Sequence, residues 1–335
     1  MTGGYEYDRQ LIAGLIGMGI RVHHVELSDS FPVPDSVAMT EAAAMMAAIP
    51  DGAVVLADGL AWGTMDTIAQ TEHQRLRIIA LCHHPLAFET GLSTAQKAAL
   101  LSSEKKSLDL SNAIVVTSQA TADLLINAYN IPPAKLTVAL PGTQQQSFAA
   151  CEGDPPVLLT VATLTQRKAH DVLIDALSRI TNLPWTARFV GGQQFDPAWA
   201  AHLHKITDAL GLGERISFIG SVTDLTPEYT NADLFVLPSR FEGYGMVFAE
   251  ALSFGLPIVA ARTGAVPDVV PESAGVLVNA DDATALAFAL QQLLNDKHRY
   301  QQLRLGAQTA AAALPAWQDT AKIMNKLLMT LSSRP

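Results

Sequence analysis

Short runs of consecutive apolar residues alternate along the chain with longer segments whose apolar residues recur every three or four positions. The first pattern is typical of strands buried on both faces of a sheet, and the second of amphipathic helices. In the first part of the chain the predicted strands are Ile20–Leu27, Ala53–Ala57, Arg77–Leu81, Ala113–Thr117 and Leu136–Leu140. After residue 150 they are Val157–Ala162, Thr186–Val190, Arg215–Ile219, Leu234–Leu237, Pro257–Ala261 and Gly275–Val278.

Helical segments are predicted between these strands. In the first part they are Tyr7–Met18, Val37–Ala48, Ser93–Asp109 and Ala120–Tyr129. In the second part they are Lys168–Ile180, Pro197–Leu210, Met246–Phe254, Ala283–Leu294 and His298–Leu314. Two strand–helix series predict an α/β protein with two doubly wound, Rossmann-like domains. A polar segment with Gly and Pro, Thr143–Pro156, is the predicted linker.

Composition and charge exclude several classes of protein. Hydrophobic residues make up 49% of the 335 residues and charged residues 16%, which excludes intrinsic disorder. The net charge of −10 argues against binding nucleic acid or an anionic membrane through the general field of the protein. No apolar run is long enough to span a membrane, and the first residues are not typical of a signal peptide, so we expect a cytoplasmic protein. The two cysteines exclude a disulfide framework and a cysteine-rich zinc site.

The most informative segment is Pro238–Ala261, in which an apolar strand leads through a Gly-containing turn into a helix. A helix N-terminus presents unpaired N–H groups to an anion such as a diphosphate. Glu242 precedes this helix and Glu250 lies inside it, so their carboxylates can accept hydrogen bonds from the hydroxyls of a sugar and a ribose. Gly243 and Gly245 let a ligand approach the backbone closely.

The spacing Glu-x7-Glu within EGYGMVFAEAL, followed by FGLPIVA and TGAVPDVV, resembles the donor-binding signature of glycosyltransferase family 4. VLLTVATLTQRKAHDVLIDAL resembles the start of that family's donor domain, and matching features cover nearly all of residues 113–320. The resemblance implies the GT-B fold, in which two Rossmann-like domains face a central cleft. It places an acceptor-side domain at residues 1–148, a nucleotide-sugar donor domain at 149–314 and, at 315–335, a C-terminal helix that crosses back to the first domain.

The same resemblance assigns residues of the donor site. Arg167 and Lys168 match the basic pair that faces the donor diphosphate, Glu250 the carboxylate that binds ribose, and Glu242 the carboxylate that holds the donor sugar. The turn that meets the sugar and phosphate comprises Gly243, Tyr244, Gly245, Met246 and Val247. The loop that borders the base comprises Gly220, Ser221 and Val222.

In the first domain, LCHHP resembles the family's His-x-Pro at the strand end that faces the donor sugar, so His83 is a predicted catalytic residue beside Arg167, Lys168 and Glu242. A metal pair of His83 and His84 is disfavoured because no carboxylate or further His stands at ligand spacing nearby in the sequence. Gly3 and Gly4 match the Gly-rich loop that follows the family's first strand. We therefore expect the first strand of this sheet to be missing.

The resemblance implies retaining, front-face transfer of a hexosyl group from a nucleotide-diphosphate sugar, UDP- or GDP-linked, to a hydroxyl acceptor. No cofactor and no metal is required in this scheme, because side-chain cations stabilise the leaving diphosphate. A soluble glycan or small molecule is the expected acceptor, and an oligomer is left open. The alternatives are a nucleotide-sugar-binding protein or partner-dependent subunit with little transfer activity, because of the truncated first domain, and a nucleotide-sugar epimerase.

Overall fold

The computed structural model describes residues 3–332, which form two compact units. The first unit contains residues 3–142 and 315–332, and the second contains Thr143–Leu314. The chain thus leaves the first unit before residue 148, because the polar segment after Gly142 packs on the second unit. There the Gln145 side chain donates to the carbonyl of Ala311 at 2.6 Å.

The first unit contains a four-stranded parallel sheet in the order β1-β2-β3-β4. Its elements are α1 (Gly3–Gly17), α2 (Ser36–Ala47), β1 (Val54–Asp58), α3 (Gly59–Trp62), α4 (Asp66–Glu72), β2 (Arg77–Cys82), α5 (Thr94–Leu110), β3 (Ala113–Val116), α6 (Gln119–Tyr129) and β4 (Leu136–Val138). Short 3-10 turns cover Leu86–Phe88 and Pro133–Lys135.

The strand predicted at Ile20–Leu27 does not form, and this prediction was wrong. The segment is irregular, and most of its residues are exposed; Val25 keeps 41% of its surface accessible to solvent. A strand in a parallel sheet needs neighbours and a covered face. No strand of the described sheet pairs with this segment, so it stays irregular although Leu27 packs against the core of the first unit.

The last helix, α14 (Trp317–Ser332), belongs to the first unit. It packs on α1 at a close approach, since a Cβ on Gly14 would lie 2.7 Å from the Cβ of Ala321. The ring of Tyr7 meets the edge of Trp317 at 5.6 Å, and the hydroxyl of Thr320 donates to the carbonyl of Leu140 at 2.6 Å. Small residues and an aromatic pair therefore hold the C-terminal helix against α1.

The second unit contains a six-stranded parallel sheet in the order β10-β9-β8-β5-β6-β7. Its elements are β5 (Val157–Val161), α7 (His170–Ser178), β6 (Thr186–Val190), α8 (Pro197–Ala209), β7 (Ile216–Gly220), α9 (Thr226–Thr230), β8 (Leu234–Leu237), α10 (Met246–Ser253), β9 (Ile258–Ala261), α11 (Val266–Val269), β10 (Gly275–Val278), α12 (Ala283–Asn295) and α13 (Lys297–Ala311). A 3-10 turn at Gln166–Lys168 precedes α7.

Two cores cover the two faces of this sheet. Successive residues of a strand point to opposite faces, so Leu234 and Val236 belong to one core while Phe235 and Leu237 belong to the other. All four are almost fully buried. This double burial explains why the strands of this unit are continuous apolar runs in the sequence.

Candidate functional site

The strand order of the second unit reverses between β5 and β8, which are neighbours in the sheet although β6 and β7 lie between them in the chain. Strands before this point are added to one side of β5, and strands after it to the other. Open α/β sheets bind ligands beyond the carboxyl ends of the strands at such a reversal. Here β5 leads into the loop that carries Arg167 and Lys168, and β8 leads into the turn that carries Glu242.

Three predicted site residues meet at this reversal. The Lys168 Nζ lies 2.6 Å from Oε1 of Glu242, and a guanidinium nitrogen of Arg167 lies 3.5 Å from Oε2. The side chain of Glu242 is only 6% exposed. Burial favours the neutral carboxyl, but the charges of Lys168 and Arg167 outweigh it, so the pKa of Glu242 is lowered from 4.5. Glu242 is therefore a buried carboxylate shared by two cations.

Backbone and side-chain contacts fix the loop after β5 to the turn after β8. The Arg240 N–H donates to the carbonyl of Arg167 at 2.8 Å, and the Arg167 guanidinium donates to the carbonyl of Phe241 at 3.1 Å. Arg240 also forms ion pairs of 2.7 Å with Asp171 and with Asp281. The basic pair and the glutamate are thus held by a network that reaches beyond their own side chains.

Two glycines shape the turn that follows Glu242. Gly245 is the N-cap of α10 with φ +84°, a left-handed conformation that glycine adopts without strain. A Cβ on Gly264 would lie 2.1 Å from the carbonyl oxygen of Glu242, which accepts the Ala265 N–H at 3.0 Å. Among residues 3–332 no side chain caps α10, so the N–H groups of its first turn, which includes Met246 and Val247, can serve an external anion.

Glu250 lies one turn further along α10. The hydroxyl of Tyr229 donates to its Oε2 at 2.8 Å. Tyr229 is 1% exposed and lies in α9, on the connection between β7 and β8. β7 ends at Gly220, which has φ +79°, and the connection starts with the exposed Ser221 and Val222. One connection therefore carries both the predicted base loop and a contact to the predicted ribose carboxylate.

In the first unit, the fold corrects the expectation for Gly3 and Gly4. They form the first turn of α1 and not a loop, and the buried face of the same helix, with Tyr7, Leu11 and Leu15, begins in the turn that follows. A Cβ on Gly4 would lie 3.4 Å from the ring of His83. Gly4 therefore lies close to His83, the residue that follows β2, but it does so from the first turn of a helix and not from a loop.

His83 has two acidic neighbours that the sequence did not indicate. Its Nε2 lies 3.1 Å from Oδ1 of Asp8 in α1, and one ligand atom each of Asp8, Asp58 and His83 lies within 4.8 Å of the others. Burial favours the neutral imidazole, but Asp8 and Asp58 outweigh it and the pKa of His83 is raised. Burial raises the pKa of Asp58. Both carboxylates are distant from His83 in the sequence, and only the fold brings them to ligand spacing around it.

A sequence profile described as "Glycosyl transferases group 1" matches residues 155–296, which lie in the second unit. D-inositol 3-phosphate glycosyltransferase of Corynebacterium diphtheriae is 30% identical over 250 residues, covering 68% of this chain and 58% of that protein. The chain belongs to the group 1 glycosyltransferases. This confirms the predicted resemblance to glycosyltransferase family 4.

A second relative with a similar name comes from Catenulispora acidiphila. This D-inositol 3-phosphate glycosyltransferase 2 is 31% identical over 247 residues, which cover 68% of this chain and 58% of that protein. The chain therefore spans little more than half the length of these relatives.

Solved structures show the same fold. Sucrose-phosphate synthase from Thermosynechococcus elongatus superposes with a TM-score of 0.81 at 22% identity, over 98% of this chain and 94% of that one. HepE from Anabaena, in complex with UDP and glucose, superposes with a TM-score of 0.74 at 18% identity, over 99% of this chain and 96% of that one. The predicted GT-B fold is confirmed. Within residues 3–332, no helix is long and apolar enough to cross a membrane.

Proposed function

We propose that this protein is a retaining glycosyltransferase that moves a hexosyl group from a nucleotide-diphosphate sugar to a hydroxyl acceptor. One observation carries the proposal: a cation pair, a helix N-terminus and a carboxylate on that helix lie together at the strand reversal of the second unit. Cations and helix N–H groups fit a diphosphate. A carboxylate fits the hydroxyls of a ribose. The chain also belongs to the group 1 glycosyltransferases, and a glycosyltransferase donor site combines such phosphate-binding and ribose-binding groups.

In this proposal Arg167, Lys168 and the first turn of α10 bind the diphosphate. Glu250 accepts hydrogen bonds from the ribose, and the backbone of Gly220–Val222 borders the base. Glu242 accepts hydrogen bonds from the sugar with the lone pairs that its two cations leave. Since that carboxylate already neutralises one positive charge, about one net positive charge remains for the diphosphate.

The reaction breaks the bond between the anomeric carbon and the diphosphate oxygen. The acceptor oxygen forms the new bond on the same face, and its proton passes to the departing phosphate oxygen, so that no charge or atom is left over. The role of Arg167, Lys168 and the α10 amides is to stabilise the negative charge that develops on the leaving diphosphate. Because side chains supply this positive charge, we propose that donor binding needs no metal ion.

The names of the compared proteins support a hydroxyl acceptor and a nucleotide donor. The inositol-phosphate glycosyltransferases carry the acceptor in their name, and the HepE structure contains UDP and glucose. We therefore propose a uridine nucleotide as the first donor to test and a soluble polyol or sugar as the acceptor class. These names also favour transfer over nucleotide binding alone.

The test measures thermal unfolding of the full chain with UDP, GDP or ADP at millimolar concentration in EDTA. A nucleotide at about 100 times its Kd adds roughly 2.7 kcal/mol to the free energy of unfolding. We expect one nucleotide to raise the Tm, and Glu250→Ala to abolish the rise. Glu228→Ala is the matched control, because Glu228 pairs with a partly exposed Arg188 and not with the site.

Transfer is then tested by supplying the selected nucleotide as its glucose, galactose, mannose and N-acetylglucosamine conjugates with a panel of polyols. Release of nucleotide that depends on an acceptor, with an α-linked product from an α-linked donor, is the expected result. A β-linked product contradicts the retaining mechanism. Binding without transfer for every pair supports the alternative of a nucleotide-sugar-binding protein. If no nucleotide raises the Tm, or if the rise requires a divalent ion, the donor site as assigned is wrong.

A further inference from the structure

The carboxylate of Glu250 has a buried hydrogen-bond donor that the donor signature does not contain. The hydroxyl of Tyr229 lies 2.8 Å from Oε2 of Glu250, within hydrogen-bond distance of a well-placed donor. Tyr229 comes from α9, which precedes β8, whereas Glu250 lies in α10, which follows it. The contact therefore ties together two connections that flank the same strand.

The surroundings of Tyr229 leave its ring little freedom. The ring stacks on Phe254 with a centroid distance of 5.1 Å and an angle of 11°, and on Phe235 at 6.0 Å and 27°. The side chain is 1% exposed, so water does not compete for its hydroxyl. Burial raises the pKa of Tyr229 well above 10, and the nearby Glu250 raises it further, so the hydroxyl stays protonated and acts as the donor.

We propose that Tyr229 is a positioning residue for nucleotide binding, whose hydroxyl holds the Glu250 carboxylate in the orientation that receives the ribose hydroxyls. The inference rests on the proposed function, since it assumes that Glu250 binds ribose. A glutamate side chain has several rotamers and loses this freedom when it binds a ligand. A partner that fixes it beforehand removes that cost from binding.

An ionised carboxylate offers about four lone-pair positions to hydrogen-bond donors. The Tyr229 hydroxyl occupies one of them on Oε2, and a vicinal diol needs two others. The tyrosine can therefore orient the carboxylate without taking the place of the ribose. A phenylalanine at this position keeps the ring stack and removes only the donor, which makes Tyr229→Phe a conservative test.

The experiment measures Kd by calorimetry for the nucleotide selected above among UDP, GDP and ADP, and for its 2′-deoxy form. The wild-type protein, Tyr229→Phe, Glu250→Gln and Tyr300→Phe are compared. Tyr300 is the matched control, because its hydroxyl is also a part-buried donor in this unit, at 2.7 Å from the carbonyl of Asp233, and it belongs to no predicted site.

The Tyr229 hydroxyl also lies 3.4 Å from the carbonyl of Val247, but its 2.8 Å contact to Glu250 is the shorter and charge-assisted one. For Tyr229→Phe we therefore expect affinity for the ribonucleotide to fall about tenfold, with a smaller change for the 2′-deoxy form, because the variant disturbs mainly the ribose contact. The wild-type preference for ribose over deoxyribose should narrow correspondingly. Tyr300→Phe should leave both affinities and their ratio unchanged. A similar fall in Tm for the two tyrosine variants, with an effect on binding in only one, separates positioning from general stability.

Four outcomes overturn the inference. An unchanged ribonucleotide affinity in Tyr229→Phe, or an equal loss for both nucleotides, shows that the hydroxyl does not act through the ribose. Equal effects of Tyr229→Phe and Tyr300→Phe on binding show a merely structural role. If Glu250→Gln binds both nucleotides as the wild type does, the ribose role of Glu250 in the proposed function fails, and the inference falls with it. The Glu250→Gln arm thus distinguishes the two failures.

Discussion

Replacing Glu242 with glutamine tests whether the carboxylate at the strand reversal is a structural partner of the two cations. At an effective dielectric constant of about 20, the attraction is about 6 kcal/mol across the 2.6 Å to Lys168 and about 5 kcal/mol across the 3.5 Å to Arg167. Desolvation of the three groups offsets most of this, and losing one partner of a buried pair typically costs about 3–5 kcal/mol. Since Lys168 and Arg167 keep 13% and 22% of their side-chain exposure, water relieves part of the loss.

We therefore expect Glu242→Gln to lower the free energy of unfolding of the second unit by about 2–3 kcal/mol at pH 7. Urea denaturation with both the midpoint and the m-value measures it. Glu228→Gln is the control, since its partner Arg188 is 38% exposed and such a pair contributes about 0–1 kcal/mol. A loss in Glu242→Gln that is no larger than the loss in Glu228→Gln would refute the reasoning.

The pH dependence of the difference in unfolding free energy between wild type and Glu242→Gln provides a second check of the ion-pair account. The pKa of Glu242 is lowered below 4.5 in the folded protein, so its ionisation contributes stability that is fully present above pH 4.5. That contribution is lost as the pH falls through the folded pKa, because the folded carboxylate must then take up a proton. The gap between wild type and Glu242→Gln should therefore be full at pH 7 and shrink towards pH 3. A gap that is constant from pH 7 to pH 3 contradicts the ion-pair account.

Three further changes have expected outcomes of their own. Gly264→Ala places a Cβ 2.1 Å from the carbonyl oxygen of Glu242 at φ +49° and should cost about 3 kcal/mol in urea denaturation, whereas Gly211→Ala, at φ +69° in open space, should cost about 1 kcal/mol. An equal cost at both positions would leave strain at φ as the whole effect. Lys168→Met should weaken binding of the selected nucleotide about tenfold and reduce its dependence on salt, and an unchanged salt dependence in calorimetry would remove Lys168 from the diphosphate site. Because the pKa of His83 is raised, the stability that wild type gains over His83→Gln should be full below pH 6.5 and decline at higher pH, as Tm measured from pH 5 to pH 9 would show.

The sequence predicted the second unit well because its physical signals are local. Leu234–Leu237 and Gly275–Val278 are strands with the predicted bounds, since each is an apolar run whose side chains pack on both cores. Thr186–Val190 also has the predicted bounds, although the partly exposed Arg188 interrupts its apolar residues. Short helices such as α9 and α11 were not predicted, because four or five residues are too few for a periodic pattern. Gly3 and Gly4 were assigned to a loop by resemblance, but they begin the helix whose buried face starts at Tyr7.

The candidate site was predictable where its residues follow one another in the chain. Glu242 and Glu250 share one turn and helix, so their spacing is visible in the sequence. The partners of these residues come from distant segments: Lys168 pairs with Glu242 across 74 positions, and Tyr229 with Glu250 across 21. In the first unit Asp8 reaches His83 across 75 positions. No periodicity or short motif encodes such contacts, although Asp58, like His83, carries the signal of a polar residue at a strand end.

The charge balance at the strand reversal changes how the basic pair should be understood. Two cations alone would match a nucleoside diphosphate, but the buried Glu242 already satisfies both. A diphosphate that reaches Arg167 and Lys168 must therefore either share them with the carboxylate or weaken that pair, and the second path exposes Glu242 to the donor sugar. The variant Glu242→Gln distinguishes these two cases. If the diphosphate and the carboxylate share the cations, the variant should bind the nucleotide more tightly than the wild type, because one competing negative charge is gone. If the carboxylate instead turns to the sugar, the variant should bind the nucleotide-sugar more weakly than the nucleotide itself.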